Sequence, residues 1–438
     1  MERMPPPPSS FGALRHRNFR LFIIGQFISL CGSWMQTVAL GWLTLELSNS
    51  ALQVGLVTTF GALPVLLFTL YGGVVADRVN RRRALIFLQS LLLCEALTLG
   101  LLTAFHVITV PMIYALALVG GTVSAFEIPI RQSWLIELVG KADLMSAIAL
   151  NSSAFNLSRV FGPAIAGTLI ATAGSAVCFL LNAVSFLAVL IGLLRIQPVP
   201  ALARQVATRR ATIREGVAHV FGSPWPRALV TLTAVFSVFG ASFIAILPVY
   251  ARDVLRAGAG GYGAIMSAFG VGAAAGALSI AAVGHRFRRE ATALGAGVSL
   301  GVALLLVGLV HHVVVALMLA MVCGLSMALN AIMTNTLLQS EAPDHLRGQV
   351  MGFYSFIVVG MAPFGSLQAG WISEHAGTPV AVLLGGGVCL LAAGLTTWRM
   401  LRQPSTARGE PSTVPAHPEE PPLQGSAGSA VTPFGEES

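Results

Sequence analysis

Long apolar segments separated by short polar connections fill the chain from residue 19 to 400, and no soluble core could bury so many. Twelve are read, roughly 19–45, 51–76, 84–105, 109–130, 152–173, 175–195, 227–250, 261–284, 291–310, 313–338, 351–372 and 378–400. Each holds about twenty residues or more, which at ~1.5 Å rise per residue crosses a ~30 Å hydrocarbon core. In hydrocarbon every backbone polar group must be paired within the protein, which leaves helices or closed barrels. Strand alternation is absent, so the segments are helices. Only 10% of the 438 residues are charged, against about 25% in soluble domains. The fold class is therefore an all-α membrane protein of twelve transmembrane helices.

Lysine and arginine set the orientation. With the N-terminus in the cytoplasm, only Arg252 and Arg256 of the 26 basic residues fall on the opposite side, and Arg159 lies within a span. An even number of spans returns the C-terminus to the same side, so both termini are expected in the cytoplasm and the chain in the plasma (inner) membrane. The net charge of +8 comes from these scattered topogenic residues, and no nucleic-acid partner is expected. Cys31, Cys94, Cys178, Cys323 and Cys389 all sit inside apolar spans without paired spacing. They read as small hydrophobes, not as disulfides or metal ligands. The first apolar segment is too long for a cleavable leader and lacks a small-residue cleavage site. No Gly-rich phosphate loop with Lys and no catalytic constellation is found, so neither an enzyme nor a cofactor is expected.

Residues 1–18 form a Pro-rich arm ending in a basic anchor, and residues 401–438 a Pro-, Ser-, Gly- and Glu-rich tail expected to be disordered. The longest polar connection, 196–226, splits the spans six and six, with a short amphipathic helix expected from Thr212 to Phe221. The halves 19–195 and 227–400 also echo each other. Gly121, Pro163 and Gly174 have counterparts Gly324, Pro363 and Gly377 at a near-constant offset. Loop residues Glu137, Lys141 and Asp143 correspond to Glu341, Asp344 and Arg347. Such repetition supports two pseudo-symmetric six-helix bundles.

The turn between the second and third spans runs Gly72-Gly73-Val74-Val75-Ala76-Asp77-Arg78-Val79-Asn80-Arg81-Arg82-Arg83. A cytoplasmic turn needs positive charge, but not a Gly at the helix end or an Asp ahead of the basic run. From Gly73 through Asp77, Arg78, Arg81 and Arg82 it resembles the signature loop of the major facilitator superfamily. Asn80 stands where that family usually has Gly, and Asn tolerates the left-handed backbone better than most residues. The second half's counterpart, Gly284 to Arg289, keeps the basic end without the acid. Finer matches are Asn18-Phe19-Arg20-Leu21-Phe22, Gly32-Ser33-Trp34-Met35-Gln36, Ala125 to Gln132, Ala149 to Ser152 and Leu346 to Met351. These resemble the transmembrane secretion effectors, the branch that includes the enterobactin exporter. The superfamily's fourth-span Arg is not kept: Ala117 holds its place if Gly121 is the motif Gly. The resemblance implies that Asp77 holds a cytoplasmic gate shut by facing the start of the eleventh helix near Gly348 to Gly352.

Charges inside spans are few, and one at mid-bilayer costs about 2.5–3.5 kcal/mol on insertion scales. Glu95 in the third span is a candidate proton or cation site, or a protonated acid bonded between helices. Glu127 and Arg131 share one helix face with Pro129 between them, as a gating pair or a helix-end ion pair. Arg159 precedes Gly162-Pro163, which resembles, in degenerate form, the glycine-proline motif of exporters. It could neutralise Glu127, meet an anionic substrate, or snorkel to headgroups. The superfamily's usual cavity helices carry Trp34, Gln36, Trp42, Phe126, Phe239, Phe243, Asn330, Thr334, Asn335 and Gln339. Polar side chains also join helices, so about half are expected to face a cavity. Glu95, Glu127, Gln36, Trp34, Asn330, Thr334 and Asn335 form the candidate proton or substrate site.

The resemblance implies a monomeric secondary transporter working by alternating access, exporting a hydrophobic or amphiphilic siderophore- or drug-like molecule by proton antiport. Two alternatives stay open: an importer or lipid flippase on the same scaffold, and a non-transporting membrane partner subunit.

Overall fold

The computed structural model describes residues 11–197, 213–284, 288–343 and 346–402. The arm before Phe11, residues 198–212 with Pro198, Pro200 and the basic run of the central loop, His285 to Phe287, Asp344 and the tail after Arg402 lie outside them. Twelve helices long and apolar enough to cross a membrane are found among the described residues. They are α1 (Arg17–Ser48), α2 (Ala51–Ala76), α3 (Arg81–Ala104), α4 (Val110–Val139), α5 (Leu144–Ala173) and α6 (Ser175–Arg195). The second six are α7 (Pro224–Val254), α8 (Gly258–Val283), α9 (Arg289–Leu309), α10 (Val313–Glu341), α11 (Arg347–Ala376) and α12 (Thr378–Met400). The compact body runs through Thr397.

Several helices outrun the apolar segments that announce them. α4 continues to Val139, α5 starts at Leu144 and α10 reaches Glu341. Thirty residues of α4 extend about 45 Å at ~1.5 Å each, so these helices project past the hydrocarbon at one end. That basic end carries the turn between α2 and α3; the other is called distal here. A further helix, Ile213–Gly222, packs on the start of α11, with Phe221 and Phe353 6.1 Å apart edge to face.

Two bundles follow from which helices touch. In the first, α1 packs on α5 and α6, α2 on α4, and α3 on α4 and α6. The second repeats this, with α8 and α9 on α10, α7 on α11 and α12, and α9 on α12. Across the divide α2 lies against α11 and α5 against α8, two contacts that the pseudo-two-fold exchanges. Small residues permit the closest crossings. A Cβ on Gly121 would lie 2.1 Å from the Gly61 carbonyl oxygen, and one on Gly324 2.0 Å from that of Phe269. Gly174 and Gly377 cap α5 and α11 with φ of +83° and +93°, a backbone that favours glycine.

Two spans are irregular. α7 contains π-helical turns at Phe236–Gly240 and Tyr250–Val254, the first next to the cavity described below. α11 breaks between Gly360 and Ala362, because Pro363 offers no N–H to continue the ladder.

Candidate transport site

A cavity of about 530 Å³ lies between the bundles at mid-depth. α1, α2, α3, α4 and α6 line one side; α7, α8 and α11 contribute to the other. Most of the wall is apolar or small, with Leu40, Val57, Leu92, Phe186, Ile244 and Met266. Hydroxyls from Ser237 within the first π turn of α7, from Ser242 just beyond it, and from Ser366 and Tyr262 dot the second bundle's side.

Glu95 is the single carboxylate on this wall, and neither Lys, Arg nor His joins it among the described lining residues. It is 5% exposed. Gln36 Nε2 donates to both of its oxygens at 3.0 Å. Gln36 Oε1 in turn accepts from Asn182 Nδ2 at 2.7 Å, and Asn182 Oδ1 accepts from the Ser185 hydroxyl at 2.9 Å. The chain runs in one direction from α6 through α1 to α3, each group donating to the next and the last position taken by an acceptor. Opposite stands bare backbone, since a Cβ on Gly120 would come within 3.4 Å of Glu95 Oε1. A buried polar group without partners is costly. These donors offset part of that cost while leaving the carboxylate on the cavity.

The distal side of the cavity is closed. Tyr262 of α8 stacks on Trp42 of α1 with ring centroids 6.3 Å apart, and Trp42 Nε1 donates to Glu46 at 2.6 Å. Beyond them Arg252 Nη1 donates to Asn49 Oδ1 at 2.8 Å.

Of the residues singled out in the sequence, Glu95 and Gln36 line the cavity. Trp34 faces α5 instead, 6.0 Å from the Phe155 ring. Arg159 places its guanidinium 4.7 Å from the Phe269 ring centroid and 5.8 Å from that of Trp34, a cation–π contact across the α5–α8 divide. It therefore bonds aromatic faces, with Glu127 paired elsewhere. Asn330 donates to the Ala293 carbonyl on α9, Thr334 is buried, and Asn335 accepts from Gln339. None of these three lines the cavity. The Asn330 and Asn335 amides bond a neighbouring helix and the next turn, and the Thr334 hydroxyl is buried without a hydrogen-bond partner among the described residues. Gly162 packs on α1 and Pro163 at the α5–α8 crossing.

Glu127 and Arg131 form an ion pair at 2.9 Å, and Gln89 Nε2 also donates to Glu127 at 3.2 Å. At the basic end Arg81 pairs with Glu137 on α4, and Arg82 donates to the Leu193 and Leu194 carbonyls at the close of α6. Those two arginines fasten the turn to its own bundle. Arg78 is exposed, and Asp77 is the exposed C-cap residue of α2. The close approach to α4 belongs to Gly72, whose Cβ would meet the Ala125 carbonyl oxygen at 2.4 Å, while Gly73 has open space.

Asn182 and Tyr262 escape a reading of the sequence. Asn182 does carry a signal, as a lone amide in an apolar span; Tyr262 carries none.

The family model for transmembrane secretion effectors matches residues 8–429. The chain belongs to that family. Among its relatives is the multidrug efflux pump Tap of Mycolicibacterium fortuitum, 29% identical over 82% of this chain and 89% of that one. The staphyloferrin A transporter of Staphylococcus aureus is 27% identical over 80% and 87%. The enterobactin exporter EntS of Shigella flexneri is 25% identical over 92% and 96%. The fold is shared with the nucleoside transporter NupG, with a TM-score of 0.72 at 13% identity, covering 89% of this chain and all of that one. It is also that of the D-xylose–proton symporter, with a TM-score of 0.65 at 15% identity over 86% and 97%. This secretion effector is thus a multi-pass membrane transporter of the major facilitator superfamily, and its relatives are transporters rather than enzymes.

Proposed function

We propose that this transporter exports amphiphilic small molecules, cationic or neutral in preference to anionic, in exchange for protons. The carboxylate of Glu95 carries the reading. One acid on an otherwise uncharged wall attracts a cation electrostatically and repels an anion, and both effects are stronger where water is sparse. Proton and cationic substrate would compete for the same two oxygens. Release of substrate would follow protonation on one side, and reloading would follow proton loss on the other. That competition is sufficient to couple two opposed fluxes. Against a neutral molecule leaving, one entering proton gains about 2.3 kcal/mol per 100 mV in a cell with a negative interior, enough to drive a roughly fiftyfold gradient. One-for-one exchange with a monovalent cation is instead electroneutral and draws on the pH difference alone.

In this reading the chain is a monomer in the plasma membrane with both termini in the cytoplasm. The bundles 19–195 and 227–400 rock about the cavity, and Asp77 latches the cytoplasmic side. Glu127 and Arg131 brace that side, while Gly162 sits where α5 meets α1, and Arg159 and Pro163 lie along the α5–α8 crossing that parts when the distal side opens. The names of the relatives span drugs and siderophores, and the charge of the wall favours the drug-like class. Efflux of ethidium from cells expressing wild type or Glu95→Gln, with and without an uncoupler, tests the proposal. Export should be lost in the variant and on uncoupling. Undiminished, uncoupler-insensitive export by Glu95→Gln at equal abundance would refute it.

A further inference from the structure

The distal ends of α2 and α11 are joined by one side chain. Glu374, in the last turn of α11, reaches across to the other bundle. Its Oε2 accepts from the Ala51 amide at 2.7 Å, the Leu52 amide at 3.3 Å and the Ser50 hydroxyl at 3.0 Å. Ser50 is itself the N-cap of α2, its oxygen accepting from the Gln53 amide at 3.2 Å. One carboxylate oxygen thus gathers N–H groups that have no partner inside their own helix.

The placement makes little sense for α11 alone. A helix C-terminus carries partial negative charge and disfavours an anion, whereas a helix N-terminus favours one. Glu374 is at the wrong end of its own helix and the right end of the opposing one. Immediately beyond, the two helices come into backbone contact. A Cβ on Gly55 would lie 2.5 Å from the Ser366 carbonyl oxygen and 3.1 Å from the Gly370 Cα. Thr59 and Ser366 hydroxyls meet at 2.9 Å one turn further on. The carboxylate can therefore reach its three donors only while this end is shut.

We infer that Glu374 is a distal latch, a gating residue that holds the two bundles together on the side away from the basic turn and must let go for that side to open. α2 and α11 run antiparallel, and each ends in an acid: Asp77 at the basic end of α2, Glu374 at the distal end of α11. The inference rests on the alternating-access reading, in which the distal side opens once per cycle. Glu374 does not touch the cavity, so its effect is on the balance of states and not on substrate affinity within one state.

The test uses the full chain in lipid nanodiscs with Cys94, the exposed cysteine, replaced by serine. Spin labels at Val107→Cys and His312→Cys, exposed in distal connections of different bundles, report the separation of those ends. Glu374→Ala should raise the ratio of long to short distances about tenfold, the scale of losing hydrogen bonds to a charged group. Glu374→Gln, which keeps an acceptor without the charge, should fall between. Adding Ser50→Ala to Glu374→Ala should move the ratio less than Ser50→Ala does in the wild-type chain. An unchanged distribution in Glu374→Ala, with an unchanged melting temperature, would overturn the latch. If Glu374→Ala does not accumulate, Glu374→Gln decides by the same criterion. Ethidium efflux measured in parallel separates the two proposals. A distance shift without wild-type efflux would leave the latch standing and remove the export reading; efflux without a shift would do the reverse.

Discussion

Replacing Gly263 by alanine adds one methyl group where α8 crosses α5. The new Cβ would lie 2.5 Å from the Pro163 carbonyl oxygen and 2.6 Å from the Gly167 Cα. Both are backbone atoms, which cannot turn aside as a side chain can. Ordinary contact between carbons is about 3.5–4.0 Å, so the two helices must part by roughly 1 Å. Overpacking of this kind costs about 1–3 kcal/mol. The penalty falls only on the arrangement in which the distal ends touch, because a distal-open state has already separated them. The ratio of distal-open to distal-closed molecules should therefore rise about 5- to 150-fold. Distances between labels at Val107→Cys and His312→Cys read that ratio directly. Gly260→Ala is the control, since nothing lies within 4 Å of a Cβ there, and it should change nothing. A Gly263→Ala protein with wild-type distances and wild-type melting temperature would show that α5 and α8 do not part during the cycle. The rocking of one bundle against the other at this crossing would then be wrong.

Three further outcomes are expected. Asp77→Asn should lower export about fivefold or more at equal abundance without lowering the melting temperature, the scale of ~1 kcal/mol at a helix end; normal efflux would dismiss the basic-end latch. Asn182→Leu removes the donor to Gln36 Oε1, and ethidium binding measured by fluorescence should weaken several-fold, whereas an unchanged Kd would show that the amide chain does not orient the site. Arg159→Gln and Phe269→Leu should couple by about 0.5–1 kcal/mol in a double-mutant cycle of thermal stability, and additive effects would deny the cation–π contact any energetic role.

The spans were legible because hydrocarbon thickness fixes their length, and the bundles because Gly121 and Gly324, or Gly174 and Gly377, recur in the same roles. Helix ends were less so. α4 and α5 run on beyond the lipid, where polar residues such as Glu137 and Ser146 continue the helix without an apolar signal. Within the spans, polar residues announced themselves but not their direction. Gln36 and Asn330 look alike in sequence, each an amide in an apolar run, yet one points to Glu95 at the cavity and the other to a carbonyl of α9. Only packing decides between those two fates. The third span is commonly peripheral in this superfamily, so Glu95 stood out by its charge and not by its place. Glu374 was hidden for another reason: an acid near a span's end reads as a solvated residue until the facing helix start is known.

Proton movement in proteoliposomes tests the account's centre most directly. Purified wild type and Glu95→Gln are reconstituted with a pH-sensitive dye inside, and an ethidium gradient is imposed without any initial pH difference. Wild type should move protons against the ethidium flow, and Glu95→Gln should move none. Equal proton counterflow in both would contradict the assignment of coupling to Glu95.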